Sequence, residues 1–139
     1  NDISEIEART AKGGNWIILI KSATNVLKGD NFVFVYPELL KNKRIVSSGE
    51  IITSEIIETK NLNYKNINSK IKTLLRKTRD KIKLRGSIVN EITTKGDFIK
   101  KIRDSVKINK NKTYLLEVVS LKDSNTAEAI IVELNISEL

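Results

Sequence analysis

Histidine, cysteine and methionine are all absent from this chain, and proline occurs once, at Pro37. Without histidine there is no Ser-His-Asp triad and no imidazole general base, and the commonest zinc ligand is lost. Without cysteine there is no disulfide and no thiolate metal site. Any chemistry must therefore use Asp or Glu, Lys, Arg or Tyr, or a hard metal held by oxygen. Aromatics are sparse, three Tyr, three Phe and one Trp, which gives little support to a stacking platform for single-stranded nucleic acid. The longest apolar runs, five residues each at Trp16 to Ile20 and Phe32 to Tyr36, are far too short to cross a bilayer as a helix, so no membrane insertion is expected. P-loop, Gly-x-Gly-x-x-Gly and EF-hand patterns are missing as well. The chain begins at Asn1 rather than methionine. That start suits a module of a longer polypeptide, or one whose beginning was removed.

What is present is charge, unevenly placed. The 139 residues carry 25 Lys+Arg against 17 Asp+Glu, a net of +8. Residues 62–112 hold 16 of those cations and only 4 of the acids. One basic half beside an acidic remainder fits a polyanion approaching one side. A lysine-rich solvated surface from an AT-rich genome would look the same.

Periodicity supplies the elements. Ile3 to Ala11 reads as a helix with Ser4 and Glu7 at capping-box spacing and Gly13-Gly14 as its stop. Asn15 to Ser22 and Asn31 to Tyr36 read as strands, the second ended by Pro37. Gly49 to Asn61 is an isoleucine- and threonine-rich strand. Asn66 to about Lys83 is an amphipathic helix with Ile67, Ile71, Leu74, Leu75, Thr78 and Ile82 on its apolar stripe and Asn66 as N-cap. Ser87 to Thr93 reads as a strand, Asp97 to about Ile108 as a second amphipathic helix, and Tyr114 to Leu121 and Ala127 to Leu134 as a strand pair around a Lys122–Asn125 turn. The order predicts a single domain over 1–139 of the α/β class, α+β being the alternative, with a mixed central sheet flanked by helices.

The candidate chemistry lies at strand ends. In a strand, Glu58 and Lys60 share one face, and Pro37-Glu38 ends the preceding strand pattern. Two carboxylates from neighbouring strand ends would hold Mg²⁺ through oxygen, and a lysine beside them would stabilise charge on a phosphate. Asp30 is the alternative first acid, and Glu5 or Glu7 would supply a carboxylate from the first helix. Pro37-Glu38, a gap of nineteen residues, then Glu58-x-Lys60 resembles the signature of the PD-(D/E)XK nucleases. With the Asn66-Ile67 helix opening and the succession of elements, the chain is similar to the C-terminal tRNase toxin domains of contact-dependent growth inhibition systems.

The resemblance implies a restriction-endonuclease-like fold and a metal-dependent nuclease toxin cutting phosphodiester bonds in RNA, with tRNA the expected substrate. Glu38, Glu58 and Lys60 would be catalytic, and Glu38, Glu58 and Asp30 the candidate ligands of Mg²⁺ or another divalent cation. The basic half adds Lys65, Lys70, Lys72, Arg76 and Lys77 as candidate nucleic-acid contacts, with Tyr64 expected against the core. Such a module would be secreted or displayed at the cell surface within a larger protein, act in the target-cell cytoplasm, and need an acidic immunity protein. Three other readings stay open from the residues alone: a non-catalytic basic nucleic-acid-binding module, a metal-independent RNase, and a structural domain.

Overall fold

Isoleucine-rich runs interrupted by two long-range amphipathic patterns call for a sheet with helices laid on it, and a mixed α/β structure results. A computed structural model of the chain describes residues 2–25, 27–60, 62–106 and 110–139. The chain divides into two compact units, Asn1–Lys43 and Arg44–Leu139.

The first unit holds helix α1 (Asp2–Ala11) and strands β1 (Trp16–Ser22) and β2 (Val35–Lys41), which pair antiparallel. Ser4 lies inside α1 rather than at its N-cap. Pro37 does not end a strand; it lies within β2, opposite Ile20. The bonds Ala23 N–H to Phe34 O and Asn42 N–H to Asn15 O set the ladder's phase. That phase makes Ile20–Pro37 a non-hydrogen-bonded pair, so the proline nitrogen faces away from β1 and no ladder bond is lost.

The second unit contains β3 (Arg44–Val46), β4 (Ile51–Glu58), α2 (Tyr64–Leu84), β5 (Ile92–Thr94), α3 (Phe98–Ser105), β6 (Thr113–Ser120), β7 (Ser124–Asn125) and β8 (Ile130–Glu138). Its main sheet runs β4-β6-β8-β5, antiparallel except for the parallel β5–β8 pair, and β3 pairs separately with β7. The register places Ile57, Tyr114, Leu116, Val118, Val132 and Leu134 on one face, all buried. Ile67, Ile71, Leu74 and Ile82 of α2, with Phe98 and Ile102 of α3, pack into the same core. Every member of that core belongs to the second unit.

The N-cap of helix α2 lies three residues earlier than Asn66, the cap its pattern suggests. Asn63 is the N-cap, its side chain accepting from Asn66 N–H at 2.9 Å. At the other end Gly86, at φ +103°, donates to Lys83 O, and Ser87 N–H donates to Ile82 O. Those two bonds form a Schellman motif, and the left-handed backbone needs glycine. The strand expected over 87–93 shrinks to β5. Ser87 Oγ accepts from Val89 N–H and Ile88 N–H donates to Thr126 O, so this backbone is tied locally before a ladder can form. Asp97 caps α3, accepting from Ile99 and Lys100 N–H; the tail of that helix pattern at 107–109 lies outside the described residues.

Candidate functional site

The end of β4 is fixed by the residue between the two candidates. Thr59 is 2% exposed. Its N–H donates to Lys112 O at 2.9 Å, and Lys112 N–H donates to Thr59 Oγ1 at 2.8 Å. Leu62 follows, buried, with its N–H on Thr59 O. Thr59 and Leu62 thus anchor the connection to α2, while the alternation of a strand leaves Glu58 and Lys60 exposed. Glu58 stands opposite Thr113, the first residue of β6.

A cleft of about 340 Å³ opens here, lined by Glu58, Lys60, Leu62, Asn66, Ser69 and Lys70. Asn66, Ser69 and Lys70 are spaced i, i+3, i+4 and share one side of α2. Neither Glu58 nor Lys60 uses its side chain in a hydrogen bond or ion pair with another described residue. Lys70 Nζ lies 3.9 Å from Glu55 Oε1, at the outer limit of an ion pair. The cleft therefore offers one carboxylate, two ammonium groups, an amide and a hydroxyl around a space large enough for a phosphate and its flanking sugar.

The other candidate acids, Glu5, Asp30 and Glu38, belong to the first unit. Glu38 lies in β2 of the first unit, in a different sheet from Glu58. Its carboxylate is bonded to the Lys21 ammonium, and that hydrogen bond, with the carboxylate's charge, raises the Lys21 pKa above its usual 10.5 against the opposing effect of desolvation. Glu38 does meet the acid expected from the first helix: Glu5, Ile6, Arg9, Pro37, Glu38 and Leu39 line a hollow of about 210 Å³. There Glu5 pairs with Arg9 at 2.8 Å. Asp30 closes a turn, its Oδ2 accepting from Leu27 N–H at 2.8 Å beside Gly29 at φ +100°. Among the described residues no three acidic side chains gather into a group able to hold a metal ion. A single carboxylate such as Glu58 still suits Mg²⁺, which keeps several waters and completes its shell with substrate phosphate oxygens.

The cations expected to contact nucleic acid fall into two sets. Lys70 and Lys77 face Glu55 of β4, at 3.9 and 3.4 Å, and Lys81 Nζ donates to Ile52 O at 2.7 Å. Lys65, Lys72 and Arg76 are exposed and make no ion pair with a described residue. Tyr64 is not a core residue: it is 55% exposed, with the Arg103 guanidinium 4.7 Å above its ring. Sequence reasoning missed Ser69 and the anchoring role of Thr59. The helical spacing from Asn66 would have found the first; the second needs the partner strand.

Comparison with protein-family models, with curated proteins and with solved structures returned no match.

Proposed function

We propose that this chain is a nuclease domain that cleaves RNA, with tRNA the substrate class its sequence resemblance implies and the cleft at the end of β4 as its active site. The observation that carries this reading is the meeting of Glu58 and Lys60 with Asn66, Ser69 and Lys70 in one cleft at the head of the basic helix. Lys60 and Lys70 would bind the scissile phosphate and stabilise the charge that builds on it. Asn66 and Ser69 would orient the sugar or phosphate oxygens. Glu58 would be the carboxylate ligand of a divalent cation, which when bound supplies an activated water and polarises the phosphate. The same resemblance places the domain within a larger delivered toxin, neutralised in its producer by an acidic immunity protein.

A second reading draws on the lone carboxylate in the cleft. Glu58, flanked by two lysines, would take the proton from a ribose 2′-hydroxyl, whose oxygen attacks the adjacent phosphorus to form a 2′,3′-cyclic phosphate as the 5′-oxygen leaves, taking a proton from Lys60 or water. That route needs no metal. Incubation of the protein with total tRNA in Mg²⁺ and in EDTA separates the two. Cleavage in Mg²⁺ alone supports the metal-dependent form, and cleavage surviving EDTA supports the second. In either case Glu58→Ala and Lys60→Ala are expected to slow cleavage by about 100-fold or more. Full activity in both variants would remove the site assignment, and binding without cleavage under any condition would leave a nucleic-acid-binding module.

A further inference from the structure

Helix α2 carries eight Lys+Arg and a single acid, Asp80, in 21 residues. At 100° per residue, Lys65, Lys72, Arg76, Arg79 and Lys83 fall within about 40° of one line, directly opposite the buried stripe of Ile67, Leu74 and Thr78. The line runs about 27 Å along a rigid helix at 1.5 Å per residue. None of the five forms an ion pair with a described residue. Lys77 and Lys81, by contrast, are turned towards β4 and held there by Glu55 and Ile52 O, while Lys70 stands over the cleft with Glu55 3.9 Å away.

An ordinary solvated helix face mixes signs and gains from i,i+4 pairs of opposite charge. This face does the reverse. Lys72–Arg76 and Arg79–Lys83 are like-charge pairs at i,i+4, and Arg76–Arg79 is one at i,i+3. Lys65 sits in the first turn, where the helix dipole disfavours a cation and no acid compensates. Asp80, at i+4 from Arg76, is the one acid of α2 beside the row, so most of this like-charge repulsion is left for an external polyanion to relieve.

We infer that this row is a track for the sugar–phosphate backbone of a base-paired nucleic acid, so that the nuclease reads a duplex stem through α2 while its cleft, at the Lys65 end, receives the strand to be cut. The inference extends the nuclease reading by naming the form of the substrate. Beside the row lie Asn68, Ser69, Thr73 and Asp80, and the one aromatic of α2, Tyr64, has its ring engaged by the Arg103 guanidinium, which leaves no run of rings on which successive unpaired bases would stack. The apolar stripe of α2 is spent in the core, leaving only Leu84 and Tyr64, at opposite ends of the helix, exposed, so it has no continuous apolar face to bury in a lipid surface. A straight row of cations contacts phosphates without reading bases, as shape-selective duplex binders do.

Arg76 and Lys77 make the decisive pair, being adjacent, exposed and equal in charge, with only Lys77 facing a carboxylate. Binding is measured by fluorescence anisotropy in the Glu58→Ala background, so that cleavage plays no part, against an RNA duplex of about 16 base pairs over a salt series. Arg76→Gln is expected to lower the slope of log K against log salt by about one, and Lys77→Gln to leave it nearly unchanged. Lys72→Gln, Arg76→Gln and Arg79→Gln combined are expected to lower it by about two to three, with the circular dichroism of the parent. The duplex is expected to bind at least tenfold tighter than its single strand, than phosphatidylserine vesicles and than polyglutamate. Equal slope changes for Arg76→Gln and Lys77→Gln, or preference for any of the three competitors, would overturn the inference. Because cleavage is not read, the track and the nuclease reading fail independently.

Discussion

Thr59 does more for the candidate site than either residue beside it. Replacing it with valine keeps its volume but leaves Lys112 N–H without its acceptor. An unsatisfied donor at a half-buried position costs about 1–3 kcal/mol, so Thr59→Val should lower the unfolding free energy from urea melts by that amount, while Glu58→Ala and Lys60→Ala should leave it nearly unmoved. Glu58 and Lys60 were legible because a period of two fixes which residues share a face. Thr59 was not, since its partner is 53 residues away along the chain. Asp30 shows the opposite failure. Its carboxylate has a local task, closing the Leu27–Asp30 turn, and sequence alone does not separate a turn aspartate from a ligand. Glu38 likewise had a neighbour that only pairing reveals, Lys21 across the β1–β2 ladder.

At the scale of elements, α2 was the most legible, because 21 residues of consistent period leave little freedom. Its start was not, since Asn63 and Asn66 are both good N-caps and the choice depends on where Leu62 is buried. Asn63→Ala is expected to cost about 1 kcal/mol. Leu74→Ala, at a fully buried position, is expected to cost about 2–5 kcal/mol, and Lys72→Ala on the outward row no more than about 0.5; thermal or urea melts of the three variants check that order. Strand β2 was misplaced because proline was read as a terminator. On the unpaired side of an edge strand it terminates nothing, and the phase of the ladder decides which side that is. Short β5 was overextended for a related reason: its residues suit a strand, but Ser87 and Thr126 claim the backbone first.

At the scale of the molecule, the buried core lies wholly within Arg44–Leu139, and charge acts at its rim. The ammonium of Lys112, the residue clasped by Thr59, is hydrogen-bonded to Glu138, which raises its pKa above 10.5 despite some desolvation. A raised folded-state pKa means the contribution to stability is complete below the unfolded value of 10.5 and disappears as pH climbs through the higher folded value. Comparing urea midpoints of the parent and Glu138→Gln from about pH 9 to about pH 12 should therefore show a small difference that closes above 10.5. The mixed sheet and its helices were legible in the order of elements. The isolation of Glu58 and Lys60 has an evolutionary consequence. Since neither side chain forms a hydrogen bond or ion pair with a described residue, drift could erase the activity proposed for the cleft with little selection against misfolding to oppose it. Inactive descendants of this chain should persist as well-folded proteins, free to keep the basic helix for whatever it binds.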